Sequence, residues 1–571
     1  MKVQYILVFL LLFCSPLQSL EAADLIEGYT HEEAMRLGEI MYRSGVLPSG
    51  EPMKAWVMGD IPFDGRMFTC DDCHQRSGLG SDEGTVITWP TNGKELFVPR
   101  RRTGAYRPPE TLEEKLDGRR ELPEYWQMED VRPAYTDKSL ARVLRVGVDS
   151  AGRQLDPIMP KYRLKESDMR IMIYYLKNLS SELSPGVDET TLQFATVITD
   201  DVAEEDKTAM LSVLQAHIDA RNSQSRHESK RATSGPFYKS ERHRAYRNVK
   251  LHVWTLHGPE ETWRSQLERY YSEQPVFALL GGITGGSWEK IHTFSEENRI
   301  PCILPVTDLP VVSDTDWYTL YFSKGFFQEG ESSAKYVRAN MKKDEKLKIV
   351  QIYQQENQKS RAIAQGFEET WHKMDKSVVE NIVLQGDDVV TEQMWKGFVE
   401  GPDPVVLLVW LDGSKADVFK GLAGHAGQAR MLFASAMLLD ENFSVVPELL
   451  QDRLLLTYPY SLPTEDDPRR FSVKRWLEIR KIPLSNFNIQ AKMYFLGWMF
   501  PGSIKSMRSE FFREYFLEGY DMMIDQDYSI AVYPRLTFGN GQRYASKGCY
   551  ITRLTKGPDP RLVPVSDWVT Y

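Results

Sequence analysis

Apolar residues recur at helical spacing in three segments of the first third of the chain. These segments are His31–Arg43, Ser139–Val146 and Ser167–Leu179, and each has its apolar positions three or four residues apart. Ser167 or Asp168 is a suitable N-cap for the last one. The pattern predicts three amphipathic helices that bury one face each.

Beyond a polar linker at 184–190 with a Pro-Gly breaker, the pattern changes. Short apolar runs typical of buried strands alternate with amphipathic helical segments, which predicts parallel α/β sheets in two lobes over 191–571. The predicted strands are Leu192–Val197, Val249–Leu256, Val276–Leu280, Cys302–Val306, Lys348–Ile352, Val405–Trp410, Met431–Ala434 and Leu454–Thr457. The predicted helices between the early strands are Glu204–Ala220, Glu260–Tyr271 and Trp288–Glu297.

Composition bounds the function. The 571 residues are too many for one compact core, and the net charge of -10 argues against a nucleic-acid-binding protein, which needs a basic surface. Outside the N-terminal region and one short motif, the only cysteines are Cys302 and Cys549. They are expected to be two isolated buried thiols.

The N-terminus has the pattern of a signal peptide. Lys2 precedes the apolar stretch Ile6–Phe13, which is too short to span a bilayer, and cleavage is expected near Ala22 or Ala23. A lipid anchor on Cys14 is less favoured, because no small residue precedes that cysteine. No later stretch approaches transmembrane length, so the mature protein (from about residue 24) is predicted to be periplasmic and not membrane-spanning.

The pentapeptide Cys70-Asp71-Asp72-Cys73-His74 is the strongest chemical signal. C-x-x-C-H is the attachment pattern for c-type haem, in which both thiols add to the haem vinyl groups and the imidazole binds the iron. A zinc site would need a second Cys/His pair, which the sequence does not contain. A thioredoxin-like redox pair would need a βαβ setting, and the flanking residues do not have that pattern.

Met159 is the best candidate for a second axial ligand. Pro157 and Pro160 flank it closely and prevent a helix, so its sulfur can be presented from a loop. Its rivals, for which core packing is the simpler explanation, are Met53, Met58, Met67, Met128, Met169 and Met172.

Taken in order, these features resemble a class I cytochrome c domain. The resemblance includes Gly38 and Tyr42 on the first helix, the C-x-x-C-H motif, and Gly-Arg-x-Leu-Asp-x-x-Met-Pro-x-Tyr over 152–162. It implies an all-α domain over 30–183 with one covalent haem c on Cys70 and Cys73 and axial ligation by His74 and Met159. Gly38 and Tyr42 are expected to pack closely against Tyr175 of the last helix.

A long insertion separates His74 from Met159, and it contains Arg100-Arg101-Arg102 and a Pro-rich stretch near Pro108. We interpret it as a solvated loop in preference to a basic surface that steers an acidic redox partner or meets a haem propionate.

A glycine-rich turn, Gly281–Ser287, follows one predicted strand and precedes a helix. Such a turn exposes backbone N–H groups to an anion, although a tight turn without a ligand explains it equally well. Thr307 and Asp308 follow the next strand and are expected at the same edge of the sheet.

The second part resembles type 1 periplasmic solute-binding proteins of the branched-chain amino-acid receptor kind. The resemblance rests on the strand order, on Gly281–Ser287, on Leu320–Gly325 with Gln328–Gly330, and on Leu536–Gly548. It implies a two-lobe fold that closes on an amino acid or small amide, with Thr284, Ser287 and Thr307 in the lobe that holds the carboxylate. The polar, basic segment Arg221–Arg247, with His227 and His243, departs from that family and is predicted to be a solvated loop.

We therefore expect a periplasmic electron carrier, not an enzyme by itself, whose receptor-like part binds a small solute or docks a redox partner protein. Iron held by His and Met has no open position for a substrate. The alternatives are an amino-acid or amide receptor with an accessory haem, and the cytochrome subunit of a periplasmic dehydrogenase.

Overall fold

The structure is a computed structural model of the chain. It describes residues 25–58, 61–83, 86–101, 131–233, 247–343, 345–375, 377–386, 388–425, 427–462, 467–523 and 526–570. These residues form two compact units, unit 1 (25–101 with 131–182) and unit 2 (183–570). Outside the described residues lie the predicted signal peptide (1–23) with Cys14, and also Arg102, Pro108, Met128, His243 and the side chain of His227.

Unit 1 contains the three predicted helices, which are confirmed with slightly different ends. Its helices are α1 (His31–Ser44), α2 (Cys70–His74), α3 (Gly93–Leu96), α4 (Asp137–Val146) and α5 (Glu166–Asn178). Capping explains the ends of α1: Thr30 and Glu33 form a capping box at its start, and Gly45 takes the left-handed conformation at its end.

Helices α1 and α5 pack at very short range. A Cβ atom on Gly38 would lie 2.3 Å from Cβ of Tyr175, so only glycine allows this approach. The rings of Tyr42 and Tyr175 lie 5.5 Å apart in a tilted arrangement. The predicted contact of Gly38 and Tyr42 with Tyr175 is confirmed.

The all-α prediction for this unit is corrected by short antiparallel strands. A three-stranded sheet has the order β2–β1–β7, and two further strand pairs are β3 with β4 and β5 with β6. The strands are β1 (Lys54–Val57), β2 (Ile61–Asp64), β3 (Asp82–Glu83), β4 (Val86–Ile87), β5 (Arg100–Arg101), β6 (Val131–Arg132) and β7 (Lys161–Tyr162). Strands of two to four residues are too short to produce a recognisable alternation of apolar and polar side chains.

Unit 2 has the predicted two-lobe α/β architecture. The first sheet is entirely parallel in the order β12–β11–β10–β8–β9, with β8 (Thr191–Thr199), β9 (Asn248–Leu256), β10 (Ala278–Leu280), β11 (Cys302–Ile303) and β12 (Thr319–Leu320). The helices between these strands are α6 (Glu204–Thr233), α7 (Trp263–Glu273) and α8 (Glu289–Glu297).

The second sheet has the order β14–β13–β15–β16–β17–β20–β21, with β22 paired to β20, and its first five strands are parallel. Its strands are β13 (Lys348–Gln354), β14 (Val379–Leu384), β15 (Val405–Trp410), β16 (Ala429–Ser435), β17 (Leu454–Tyr458), β20 (Gly548–Leu554), β21 (Leu562–Pro564) and β22 (Val569–Thr570). The remaining helices are α9 (Phe326–Ala339), α10 (Gln358–Met374), α11 (Glu392–Val399), α12 (Ala416–His425), α13 (Glu448–Gln451), α14 (Pro468–Ile479), α15 (Phe487–Ser506) and α16 (Arg513–Asp521). A small hairpin joins β18 (Asp527–Tyr528) to β19 (Leu536–Thr537).

The predicted loop after Ala220 is wrong in its first part, because α6 continues to Thr233. Arg221 and Ser225 are buried. The Asn222 side chain exchanges two hydrogen bonds with the backbone of Val249, at 2.8 and 2.7 Å, and so fixes the helix to β9. Tertiary contacts therefore order a stretch whose composition alone is that of a solvated segment.

The chain passes between the two lobes three times, and hydrogen bonds join the passages. The first passage follows β12, and its Tyr321 donates to the carbonyl of Arg543 (2.8 Å) and accepts from Ala545 (3.0 Å) in the third. The second passage follows β17, and its Ser461 donates to the carbonyl of Val532 (2.7 Å). These bonds fix where the lobes meet.

The structure also bears on the predicted absence of a membrane span and on the predicted state of Cys302 and Cys549. Within the described ranges, no helix combines the length and the apolar character needed to cross a membrane. Cys302 and Cys549 are both buried and form no disulfide, which confirms that prediction.

Arg513 at the start of α16 ties the late part of the chain to the first sheet. It is buried, and all three of its guanidinium nitrogens donate hydrogen bonds. Its acceptors are the carbonyls of Val276 (2.5 Å), Phe277 (3.0 Å), Asn298 (3.2 Å) and Arg299 (3.3 Å) and the hydroxyl of Tyr271 (3.1 Å). The residue thus satisfies four backbone carbonyls next to β10 and β11.

Replacing Arg513 with methionine should lower the free energy of unfolding of the full chain by about 3 kcal/mol or more, because several buried carbonyls lose their donor at roughly 1–3 kcal/mol each. Urea denaturation measures the change. The matched control is Arg535→Met, whose exposed ion pair with Asp527 contributes less than about 1 kcal/mol. Equal effects of the two substitutions would contradict this role of Arg513.

Candidate functional sites

The C-x-x-C-H segment is one turn of helix. Thr69 precedes it in an extended conformation, and the Asp72 carboxylate accepts a hydrogen bond from the Thr69 N–H at 2.8 Å. Residues three and four apart lie on the same side of a helix, so the turn presents Cys70, Cys73 and His74 together. Neither of these two thiols forms a disulfide.

The orientation of His74 is set by a backbone carbonyl. Its Nδ1 lies 2.9 Å from the oxygen of Trp89, so Nδ1 carries the proton and donates, and Nε2 keeps its lone pair. Burial lowers the pKa of His74 to about 4, against the opposing effect of the Trp89 carbonyl. A neutral imidazole with its second nitrogen held by a carbonyl is the form that binds metals. Nothing in the sequence around Trp89 indicates this role, since a carbonyl can come from any residue.

The structure brings Met159 and Cys70 to the margin of the same apolar core. Met159 closes a turn by donating its N–H to the carbonyl of Asp156 at 3.0 Å. Three residues later, Tyr162 in β7 pairs with Ala55 of β1, and its hydroxyl accepts a hydrogen bond from the Cys70 thiol at 3.9 Å. Tyr162 therefore connects the loop that carries Met159 to the helical turn that carries Cys70.

Apolar side chains next to these residues are exposed. Met67 is 69 % exposed and Phe68 49 %, directly before Thr69, and Ile158 is 53 % exposed, directly before Met159. Met58, which is also exposed, donates its N–H to the carbonyl of Pro157 at 3.0 Å and so lies beside the same loop. Water-exposed apolar groups gathered in one place mark a binding surface. Together with the thiols of Cys70 and Cys73 and the neutral imidazole of His74, they fit a flat apolar group such as haem.

The other methionines occupy different settings. Met53, Met169 and Met172 are fully buried in the core of unit 1, so they have the core-packing role that the sequence predicts for them. Met58 and Met67 are exposed and remain the described rivals to Met159.

In unit 2, a cavity of about 630 Å³ lies between the lobes. The first lobe contributes Gly285, Gly286 and Leu309, which follow β10 and β11. The second lobe contributes residues that follow β13, β15 and β16: Asn357, Gln358, Lys359, Asp412, Gly413, Ser414, Met437, Leu438, Leu439, Asp440 and Asn442. The carboxyl ends of both parallel sheets thus face one cavity, which is where open α/β sheets bind ligands.

The three predicted hydroxyl residues lie in the loops that reach this cavity but are engaged locally. Thr284 accepts from the N–H of Gly286 (3.2 Å), Ser287 from that of Glu289 (3.1 Å) and Thr307 from that of Leu309 (3.1 Å). Glycines and Leu309 line the cavity beside them. The loops that carry these residues reach the cavity at the predicted edge of the sheet. The role of Thr284, Ser287 and Thr307 in binding a carboxylate stays a prediction.

The glycine-rich turn differs from the anion site that its sequence permits. A Cβ atom on Gly285 would lie 2.5 Å from the carboxylate of Asp201, and one on Gly286 would lie 3.0 Å from the carboxylate of Glu260. The two acidic side chains thus lie directly against the backbone of the turn. Two nearby negative charges oppose the binding of an anion at this turn.

Polar residues at strand ends form the opposite wall. Asn357 donates to the carboxylate of Asp412 at 2.8 Å and accepts from the N–H groups of Lys359 (3.0 Å) and Ser360 (3.1 Å) at the start of α10. Lys359 lies 3.7 Å from the carboxylate of Asp308 across the cavity. Our sequence analysis missed this wall, although an Asn or Asp shortly after an apolar strand is the signal that would have found it.

Glu329 in the first turn of α9 is a buried acid at the carboxyl edge of the second sheet. It is 1 % exposed and accepts a hydrogen bond from the hydroxyl of Thr457 near the end of β17. Burial raises the pKa of Glu329 to about 8, although hydrogen bonds from Thr457 and Ser435 act in the opposite direction. The side chain is therefore protonated at neutral pH.

Comparison with known proteins gives solved structures only. No protein-family model matches the sequence, and no curated protein is similar to it. A putative branched-chain amino acid ABC transporter from Rhodospirillum rubrum is 13 % identical, covers 65 % of this chain and 100 % of its own, and has a TM-score of 0.46. An ABC transporter substrate-binding protein from Sphaerobacter thermophilus is 12 % identical over 66 % of this chain and 98 % of its own, with a TM-score of 0.45. A branched chain amino acid ABC transporter from Thermus thermophilus with bound valine is 12 % identical over 67 % and 97 %, with a TM-score of 0.43.

The free energy of unfolding should fall as the pH rises from about 4.5 to about 8, because unfolded Glu329 loses its proton near its ordinary pKa of roughly 4.3 while the folded residue keeps it to about 8. Above about pH 8, Glu329 no longer changes the free energy of unfolding as the pH rises. Glu329→Gln should remove up to about 1.4 kcal/mol per pH unit of this dependence.

Urea denaturation at pH 5 to 9 measures both proteins. The exposed Glu448→Gln variant is the control and should keep the slope of the wild type. A Glu329→Gln protein with the wild-type slope would show that Glu329 is not the group responsible.

Proposed function

We propose that unit 1 carries one covalent haem c and transfers electrons. The observation that carries the proposal is the helical turn in which Cys70, Cys73 and a carbonyl-oriented His74 lie on one side. Two thiols and an imidazole at this spacing match the attachment chemistry of c-type haem. The exposed apolar side chains at Met67, Phe68 and Ile158 support it, because a macrocycle would cover them.

The residues of the chain have separate tasks in this proposal. Cys70 and Cys73 would hold the haem as two thioethers, each thiol adding its sulfur and its hydrogen across one vinyl double bond. Nε2 of His74 and the sulfur of Met159 would hold the iron. When bound, the haem supplies an iron that exchanges one electron at a time. Because His74 and Met159 would both be committed to the iron, the proposed partner is another redox protein of the periplasm and not a substrate.

We further propose that unit 2 binds a small organic solute between its lobes. The cavity at the two carboxyl edges carries this second candidate function, since both lobes supply polar side chains to it. An amino acid or a small amide fits a cavity of about 630 Å³. Electron transfer by unit 1 and solute binding by unit 2 are independent proposals, and a docking role for unit 2 is the competing one.

The haem proposal predicts that the full chain, exported by a host that attaches c-type haem, keeps its haem on a denaturing gel. Cys70→Ala with Cys73→Ala should abolish the haem stain, because no thioether can form. Met159→Ala should remove the weak absorption band that arises from thioether coordination to ferric iron, while the exposed Met67→Ala control keeps it. A retained band in Met159→Ala would assign the second axial position to another residue.

The receptor proposal predicts that some member of a panel of amino acids and small amides raises the unfolding temperature of the full chain. At a hundredfold excess over Kd, a ligand that binds only the folded state adds about 2.7 kcal/mol. Asn357→Leu should abolish this shift, because Asn357 lines the cavity and positions Asp412.

Asn486→Leu is the matched control, since Asn486 likewise caps a helix and bonds a carboxylate, that of Asp206, but does not line the cavity. It should retain the ligand-induced shift. The absence of a shift with every compound would leave unit 2 as a docking module.

A further inference from the structure

The second lobe lines the cavity of unit 2 with two carboxylates that no cation neutralises. Asp412 follows β15, and its carboxylate accepts hydrogen bonds from the Asn357 amide (2.8 Å) and from the N–H (2.9 Å) and hydroxyl of Ser414. These donors carry no charge. Asp440 follows β16 and is exposed, and within the described ranges its carboxylate has neither a hydrogen bond nor an ion pair. Both residues therefore give this wall an unbalanced negative charge.

The first lobe places two more carboxylates beside the same cavity. Gly285 and Gly286 line it, and the carboxylates of Asp201 and Glu260 lie within 2.5 and 3.0 Å of the positions that Cβ atoms on these glycines would take. Among the residues that the structure describes, only the hydroxyl of Thr199 donates to Asp201, and no group donates to Glu260. The negative charge of this wall is likewise unbalanced.

The cavity has little positive charge to set against these four carboxylates. Lys359 is the only cation among its described lining residues, and its ammonium group lies 3.7 Å from the carboxylate of Asp308. That pair is neutral as a whole. A cleft in which one sign of charge predominates concentrates ligands of the opposite sign and repels those of the same sign. The cavity therefore favours a cation.

The arrangement suits an organic cation better than a metal ion. Calcium takes roughly six to eight oxygen ligands around one point. Over the described part of the chain, no three His, Cys, Asp or Glu side chains come close enough together to hold a metal ion. The cavity has room for a longer molecule, at about 630 Å³, and apolar residues such as Leu309, Met437 and Leu439 line it and can contact a carbon skeleton.

A carboxylate on the ligand would work against these charges. An amino acid carries one positive and one negative group, and the resemblance to amino-acid receptors places the negative group at the turn that Asp201 and Glu260 flank. Like charges at such short range repel each other. A molecule in which that carboxylate is an amide, or is missing, keeps only the charge that the cavity attracts.

We propose that the solute of unit 2 is a small organic cation without a carboxylate, such as an amine or a guanidine on an aliphatic skeleton. Asp412 and Asp440 of the second lobe and Asp201 and Glu260 of the first lobe select its charge. This inference rests on the proposed receptor function and deepens it by naming the class of ligand.

Calorimetric titration of the full chain with matched compounds tests the charge of the ligand. Leucine is compared with leucinamide and arginine with agmatine, because the second compound of each pair keeps a cation and lacks the carboxylate. 3-Methylbutylamine is compared with 3-methylbutanol, which has the same skeleton and no charge. At least one cation should bind more than tenfold tighter than its counterpart, and neither amino acid should bind more tightly than its cation.

Asp440→Asn should weaken the binding of that cation about tenfold, as expected for the loss of one charge-assisted contact. Asp201→Asn combined with Glu260→Gln should strengthen the binding of leucine relative to leucinamide, because the turn loses its negative charge. Asp403→Asn is the matched control: Asp403 is also an exposed aspartate of the second lobe, but it precedes β15 and so lies at the opposite edge of the sheet. This variant should bind as the wild type does.

The comparison of compounds in the wild type needs no variant, and a thermal unfolding curve shows whether each variant is folded. The inference is wrong, and the receptor function stands, if leucine and arginine bind at least as tightly as leucinamide and agmatine. Unchanged cation binding in Asp440→Asn together with an unchanged leucine preference in the Asp201/Glu260 variant has the same meaning. Micromolar binding of Ca²⁺ alone that Asp440→Asn weakens would assign the carboxylates to a metal ion instead. No binding of any of the six organic compounds would overturn both proposals.

Discussion

The passages of the chain between the lobes are the constraint on which unit 2 depends. Each parallel sheet ends at its carboxyl edge in loops, and the three passages bring those two edges together. Hydrogen bonds from Tyr321 and Ser461 to the neighbouring passages hold the arrangement. The cavity between the lobes lies at these two carboxyl edges, and the buried acid Glu329 lies at the carboxyl edge of the second sheet.

Periodicity predicted the regular elements well and the irregular ones poorly. The long helices α1 and α5 and the apolar strands of both sheets have the full spacing patterns, since their buried faces demand them. The strands of unit 1 are too short to have a pattern. The second half of α6 has a polar composition, and the burial of Arg221 and Ser225 and the contacts of Asn222 with Val249 show why it remains helical.

The candidate sites likewise contain residues that the local sequence is sufficient to find and residues that only the fold brings together. Cys70, Cys73 and His74 form one turn, so the local sequence is sufficient to find them. The carbonyl of Trp89 that orients the imidazole, and the hydroxyl of Tyr162 that reaches Cys70, come from distant parts of unit 1. The glycine-rich turn shows the opposite case: its sequence permits an anion, and the carboxylate of Asp201, far away in the chain, lies beside Gly285 and opposes one.

Within the stretch between His74 and Met159, a short paired stem has Arg100 facing Arg132 and Arg101 facing Val131. Strands β5 and β6 thus hold Arg101 and Val131, the two described residues that bound 102–130, side by side. Doubling the length of such a loop costs only about 0.6 kcal/mol. The stem is therefore a point at which the unit tolerates the gain or loss of sequence, and whole modules could be exchanged there while the helical turn and the Met159 loop keep their positions.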